Sequence, residues 1–305
     1  MSVFVQQTGT ECEFSNSDSW VILSPIEQSI KRKIESVGTP LKDWDINIYR
    51  GVLTGYNEAF IISTEKRDEI LANCQSDDER KRTEELIRPI LRGRDIKRYG
   101  YNWAGQWLIA TFPSRHYDIE KYPAVKNYLL SFGIERLEQT GKEHNVNGEK
   151  IKARKKTNNK WFETQDSISY WEDFSKPKVM WKIIGCNINF SFDDTNKICN
   201  NAVDIMTGKR SQLLQFVGLM NSKLFDWYLK LTTEAEVQGG GIQLYVTTLE
   251  KTLLKLDFPE ELNDVIEQRL MSKVSDEDVD KTIYRLYNLT NDEIVFIHSC
   301  KQVNR

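Results

Sequence analysis

Histidine is scarce in this sequence, cysteines show no paired spacing, prolines never adjoin and no long apolar run occurs. The five cysteines, Cys12, Cys74, Cys186, Cys199 and Cys300, are odd in number and scattered, with no Cys-x-x-Cys, and the histidines number three. Neither a disulfide framework nor a zinc site is indicated. The longest apolar stretches, LLQFVGLM and EAFIIS, fall well short of the roughly 20 residues that cross a bilayer. The opening MSVFVQQTGTECEF has no basic start and no apolar core of a secretory signal. A cytoplasmic protein with no membrane partner is therefore expected.

What is present is a globular composition, 39% hydrophobic and 29% charged over 305 residues. That length suits one large domain, or one domain with appendages. A net charge of −3 argues weakly against a polyanionic partner. Net charge averages over surfaces, however, and the signs are unevenly distributed along this chain.

Ser24 to Ser36 reads as a helix, with Ser24 as cap, Pro25 at the first helical position, Glu27 closing a capping box and Gly38 as terminator. From Ile46 the pattern turns β-rich, through INIYRGVL, EAFIIS, QWLIATF, KVMWKII, INFSF and NAVDIM. Helical patterns interrupt it at Glu65 to Cys74, Asp77 to Leu91 and Pro123 to Phe132. From Arg210 to Leu231, Leu213, Phe216, Val217, Met220, Leu224, Trp227 and Leu231 recur at helical steps, which predicts a single packed helix. After Pro259 the chain turns acidic and helical, with Ser275/Asp278 and Thr290/Glu293 as capping pairs. The expected class is α+β: a twisted mixed β-sheet with packed helices at 46–258, preceded by a linker and helix at 1–45 and followed by a small helical appendage at 259–305.

Three strings carry candidate chemistry. In Gly51 to Gly55, GVLTG, the glycines suit a tight turn, and Asn57 is expected to tie it to a backbone group. RPILRGRDIKRY, Arg88 to Tyr99, is a positive patch opposed by one acid; a solvated helix end with Arg94 paired to Asp95 is its structural reading. The strongest signal is KIKARKKTNNK, Lys150 to Lys160, where six of eleven residues are basic and none is acidic. Lysine, arginine and asparagine are the residues that clamp phosphates, with arginine also reading guanine and asparagine adenine. The inventory fits a DNA-reading loop. Trp161, Tyr170, Trp171, Phe174 and Trp181 behind it read as core or loop anchors.

Taken in order, YRGVLTGYNEAFIIS, ELIRPILRGRDIKRY, the basic loop followed by a Lys-Pro-Lys strand, LMNSKLFDWYL, GGGIQLYVTTLEKTLL and DKTIYRLYNLTNDEIVFI resemble the TaqI-like C-terminal specificity domain. This is the target-recognition domain of type II and IIG restriction-modification enzymes that methylate adenine in DNA. The resemblance implies that double-stranded DNA lies between a recognition wall and a methyltransferase wall, with the adenine flipped into the latter. It implies DNA contacts from Lys152, Arg154, Lys155, Lys156, Asn158, Asn159 and Lys160, and a second phosphate-facing set of Arg92, Arg94 and Lys97. Within this expectation Arg154 reads guanine and Lys156 holds phosphate.

The catalytic parts of such enzymes are missing from the string. No two of the seven prolines are adjacent, so the Asn/Asp-Pro-Pro-aromatic motif is absent, and the Gly239 to Gly241 run lacks the P-loop spacing. DDERK at Asp77 to Lys81 starts a polar helix and does not supply a nuclease carboxylate pair. The chain alone is expected to be no enzyme and to need no cofactor. S-adenosylmethionine and Mg2+ belong to catalytic domains outside it, and a methyltransferase domain or subunit is the expected partner. The alternative is an orphaned specificity fold whose acidic end docks a protein without binding DNA.

Overall fold

Helix caps written in the sequence form as expected. The computed structural model describes residues 23–233, 236–237, 241–255 and 258–300. Helix α1, Pro25–Glu35, starts at Ser24, whose hydroxyl accepts from Glu27 N while the Glu27 carboxylate accepts from Ser24 N at 2.8 Å. Two orphan amides are thereby satisfied reciprocally. The chain divides into two compact units, one running from Asp45 to Leu213 and the other drawn from the segments before and after it.

The unit from Asp45 to Leu213 holds two four-stranded sheets and a separate ribbon, a mixed α and β arrangement. In chain order its α-helices and the strands of these sheets are β1 Ile46–Arg50, α2 Asn57–Phe60, β2 Ile61–Ser63, α3 Thr64–Ala72, α4 Asp77–Leu86, β3 Ile87–Leu91, β4 Gln106–Ile109, α5 Pro123–Leu130, α6 Ile134–Leu137, β5 Glu143–Val146, β6 Glu149–Lys152, β7 Lys178–Lys182, β8 Phe190–Asp193, β9 Ile198–Cys199 and β10 Val203–Gly208. One sheet has the order β8-β7-β10-β1 and is antiparallel throughout. The other, β9-β3-β4-β2, is antiparallel except where β9 runs parallel to β3. Phe60, Ile87, Ile90, Leu108, Val125, Leu129, Phe174, Met180 and Ile205 belong to one buried cluster between these elements.

Two expected elements change identity here. EAFIIS is half helix: Asn57 to Phe60 make one helical turn and only Ile61 to Ser63 pair as a strand. The helix expected over Asp77 to Leu91 stops at Leu86, and Ile87–Leu91 is strand β3. Pro89 is the cause, because it disfavours helical backbone at Arg88 and cannot donate to a helical ladder. Arg88 to Tyr99 is therefore a strand and turn, not a helix end.

Gly51 is required by close approach. A Cβ there would sit 2.1 Å from the Asn200 carbonyl oxygen, while Gly51 N donates to Val203 O and Val52 N to Cys199 O. Gly55, at φ +79°, adopts the left-handed backbone that glycine tolerates. Asn57 ties this turn through a side chain instead of a backbone group, accepting from the Thr54 hydroxyl at 2.7 Å. GVLTG is scaffold.

The segment expected as a single helix is two, α7 Arg210–Asn221 and α8 Lys223–Thr232. Ser222 breaks it: its hydroxyl donates to Leu219 O and accepts from Phe225 N, so it closes one helix and caps the next. A short hairpin, β11 Glu236–Val237 with β12 Gly241–Gln243, and α9 Val246–Leu249 follow. Helices α10 Glu260–Leu270, α11 Asp276–Leu286 and α12 Asn291–Ser299 end the described chain, with capping boxes at Ser275/Asp278 and Thr290/Glu293 as expected. Glu293 is also bonded by Ser29 and Lys33, so α12 is tied to α1. Gly239 and Gly240 of the glycine run lie outside the described residues, as does the opening segment with Cys12.

Candidate nucleic-acid interface

The basic run begins on β6 and continues as an irregular segment to Lys160. Its third cation determines its shape. Arg154 is 4% exposed, and its guanidinium donates to four backbone carbonyls: Leu137 from Nε at 2.8 Å, Thr54 and Glu163 from Nη1 at 2.9 and 2.8 Å, and Trp161 from Nη2 at 2.6 Å. The guanidinium carbon also lies 5.0 Å from the centre of the Phe60 ring. Burial pulls its pKa down to about 10 against the opposing pull of Glu163. The assignment of Arg154 to a guanine is corrected: four of its five N–H groups donate to carbonyls inside the protein, and the side chain is buried away from any base edge.

Gln139, also buried, completes the frame. It donates to the carbonyls of Lys160 and Glu163 and accepts from the Thr157 hydroxyl. Asn159 is a second correction. Its amide nitrogen donates to Thr164 O and Gln165 O at 3.2 and 2.9 Å, whereas adenine readout needs that donor free alongside the acceptor. Gln165 N and Asp166 N both donate to Leu53 O, which clips the end of the segment to the GVLTG turn.

The remaining predicted contacts lie outside this frame. Lys152, Lys155, Lys156, Asn158 and Lys160 are exposed. Lys160 Nζ sits 5.5 Å from the Phe162 ring centre, within cation–π range. The structure thus separates one run into a buried anchor at 154, a half-buried one at 159 and exposed polar groups at 152, 155, 156, 158 and 160.

In the second predicted set, Arg92 pairs with Asp95, Nε to Oδ2 and Nη2 to Oδ1, both at 3.1 Å. The expected partner of Asp95 is Arg94; the observed one is Arg92, because the carboxylate also accepts Arg92 N and closes a turn there. Arg92 is therefore a turn-closing residue with its charge locally balanced. Arg94 and Lys97 are exposed, with Lys97 Nζ on the Arg94 carbonyl at 3.1 Å.

Phe174 and Trp181 are fully buried, and Tyr170 stacks on Tyr49 at 4.4 Å while donating to Arg50 O at 2.7 Å. Trp171 lies half-buried beneath the Arg115 guanidinium at 3.9 Å. These aromatics serve as anchors. Lys178 of the Lys-Pro-Lys strand is buried against Asp193, with Phe174 O as a further acceptor. Burial pushes the Asp193 carboxyl up, but the Lys178 charge and hydrogen bonds from Lys178, Thr195 and Tyr101 outweigh it and hold its pKa below the usual value.

Reading by charge alone misses the hairpin of β5 and β6. Its legible signal is Asn147-Gly148 between HNV and EKI, an Asn-Gly pair at a two-residue turn. Among the described residues no group of three or more His, Cys, Asp or Glu is arranged to hold a metal ion, and no helix is long and apolar enough to cross a membrane.

The sequence matches the TaqI-like C-terminal specificity domain over residues 88–252, more than half its length, and the chain belongs to that family. Its fold is similar to part of the type IIG restriction endonuclease BpuSI, with TM-score 0.55, 12% identity and 89% of this chain covered. It is also similar to part of the type IIL restriction-modification enzyme MmeI, solved in complex with DNA, with TM-score 0.50, 13% identity and 85% of this chain covered. This chain spans 31% and 35% of those two proteins. Curated protein sequences give no match.

Proposed function

We propose that this chain is the DNA target-recognition domain of a restriction-modification enzyme that methylates adenine. It positions double-stranded DNA for a methyltransferase domain or subunit outside the chain. Family membership supports the role. The observation that carries the reading to residues is the rigid frame of Arg154 and Gln139, which presents Lys152, Lys155, Lys156 and Lys160 outward. Four cations fixed in one segment suit a phosphate backbone, where sequence-independent affinity originates. Arg94 and Lys97 form a second phosphate-facing pair. The work of the chain is binding; S-adenosylmethionine and Mg2+ belong with the catalytic domains, and a cytoplasmic location goes with this role.

The test is the salt dependence of binding to a pool of random duplex DNA, with wild type beside Lys155→Glu/Lys156→Glu. Steeply salt-dependent binding that the double variant weakens supports the reading. Absence of duplex binding by wild type at low salt refutes it for the isolated chain and favours docking to a protein partner.

A further inference from the structure

The β5–β6 ribbon forms its own two-stranded sheet, with no third strand among the described residues. Its register pairs Glu143 with Lys152, His144 with Ile151, Asn145 with Lys150 and Val146 with Glu149. Cross-strand partners share a face, so Glu143, Asn145, Lys150 and Lys152 line one side, and all four are exposed. His144, Val146 and Ile151 on the opposite side are half-buried. The ribbon is therefore two-faced, with its polar face turned to solvent.

The tip is free and the root is held. Asn147 and Gly148 both have positive φ, 54° and 86°, as a tight hairpin turn requires, and a Cβ on Gly148 would meet nothing within 4 Å. At the root, Ala153 N donates to Lys142 O and Gly141 N to Arg154 O, so the ladder ends on the residue whose guanidinium binds four carbonyls. An isolated two-stranded hairpin is marginal in water. Arg154 is thus the positioning residue that gives this one a fixed direction.

Shape and chemistry then select an occupant. A ribbon of this length reaches about 14 Å, and the major groove, about 12 Å wide and 8.5 Å deep, admits a two-stranded ribbon. Asparagine bridges adenine N6 and N7, lysine donates to guanine O6 and N7, and glutamate accepts from cytosine N4. We propose that the β5–β6 ribbon enters the major groove of duplex DNA and reads base edges through Asn145 and Lys150, while Lys155, Lys156 and Lys160 beyond its root hold phosphates. This rests on the chain being a DNA-recognition domain. It transfers base reading from the irregular loop to the ribbon before it.

The experiment is selection from a random duplex pool by the full 305-residue chain, comparing wild type with Asn145→Ala/Lys150→Ala. Both positions are exposed, and the unfolding midpoint is measured to verify that the fold is kept. Wild type is expected to enrich a defined sequence, and the variant to lose preference at one or two adjacent base pairs by about tenfold to a hundredfold. A variant that enriches the same sequence equally well overturns the proposal, as does wild type that binds duplex DNA but enriches nothing. Wild type that binds no duplex at low salt is a different result, and it removes the recognition reading itself.

Discussion

Arg154 Nη1 donates to the carbonyl oxygen of Thr54 at 2.9 Å, across 100 residues of sequence. The bond joins the basic segment to the GVLTG turn, so the glycine string at 51–55 and the cationic segment form one structural unit.

Removing that side chain takes a donor from four carbonyls, of which only that of Glu163 keeps a second one, from Gln139. Each buried group stripped of its partner costs about 1 to 3 kcal/mol. Arg154→Ala is expected to destabilise the fold by about 3 kcal/mol or more, read as a lower midpoint in urea unfolding. Arg154→Lys should recover little, because an ammonium lacks the planar fork that reaches several carbonyls at once. A variant as stable as wild type would remove Arg154 from the frame.

Lys155 and Lys156 are exposed and follow the anchor directly. Their replacement by glutamate should leave the unfolding midpoint within about 0.5 kcal/mol of wild type. The slope of log K against log salt should flatten by about 2, near 0.9 for each phosphate that is no longer neutralised. An unchanged slope would show that these lysines do not face phosphate.

Two aspartates in one sheet titrate in opposite directions. Asp193 is held low by Lys178, as described, whereas burial raises Asp204 on β10 to about 6, against the weaker pull of Arg50 across the strand pair. A raised folded-state value means that the folded protein binds the extra proton. The contribution of Asp204 is therefore fully present below its unfolded value near 3.8 and is lost as pH rises through about 6. Asp204→Asn should stabilise the protein relative to wild type at pH 7.5, by at most roughly 3 kcal/mol, and the advantage should shrink towards pH 4. Chemical unfolding at the two pH values measures it, and a difference independent of pH would contradict the assignment.

The buried pair of Lys178 and Asp193 gives a fourth outcome. Lys178→Met leaves a carboxylate buried without its cation and should cost about 3 to 5 kcal/mol at pH 7. Lys178→Met/Asp193→Leu removes both charges and should be less damaged than Lys178→Met alone. Equal damage in both would mean that packing, not charge, dominates at this position.

Local signals proved legible where local physics decides. Ser24 with Glu27, Ser275 with Asp278 and Thr290 with Glu293 form the expected capping boxes, because a cap is completed within three residues. The strands around Ile46, Gln106, Lys178 and Val203 follow their β-branched and aromatic patterns. The errors at Leu86 and Ser222 fell where a proline or a capping serine cut an apolar pattern that continued past it. The Asn147-Gly148 turn is equally local and equally readable, but the run of positive charge beside it dominates a reading made by composition.

Side-chain burial within the basic run was not readable in this way. Arg154, Lys155 and Lys156 are adjacent cations in a string, and periodicity assigns no difference between them. Their roles separate because carbonyls from Thr54, Leu137, Trp161 and Glu163 converge on one guanidinium, an arrangement made by segments distant in sequence. Family, helix caps and strand pattern follow from neighbouring residues and from the ordered motifs. Which cation anchors the segment and which face outward follows from that convergence, since a buried charge is tolerated only where folding brings enough acceptors to it.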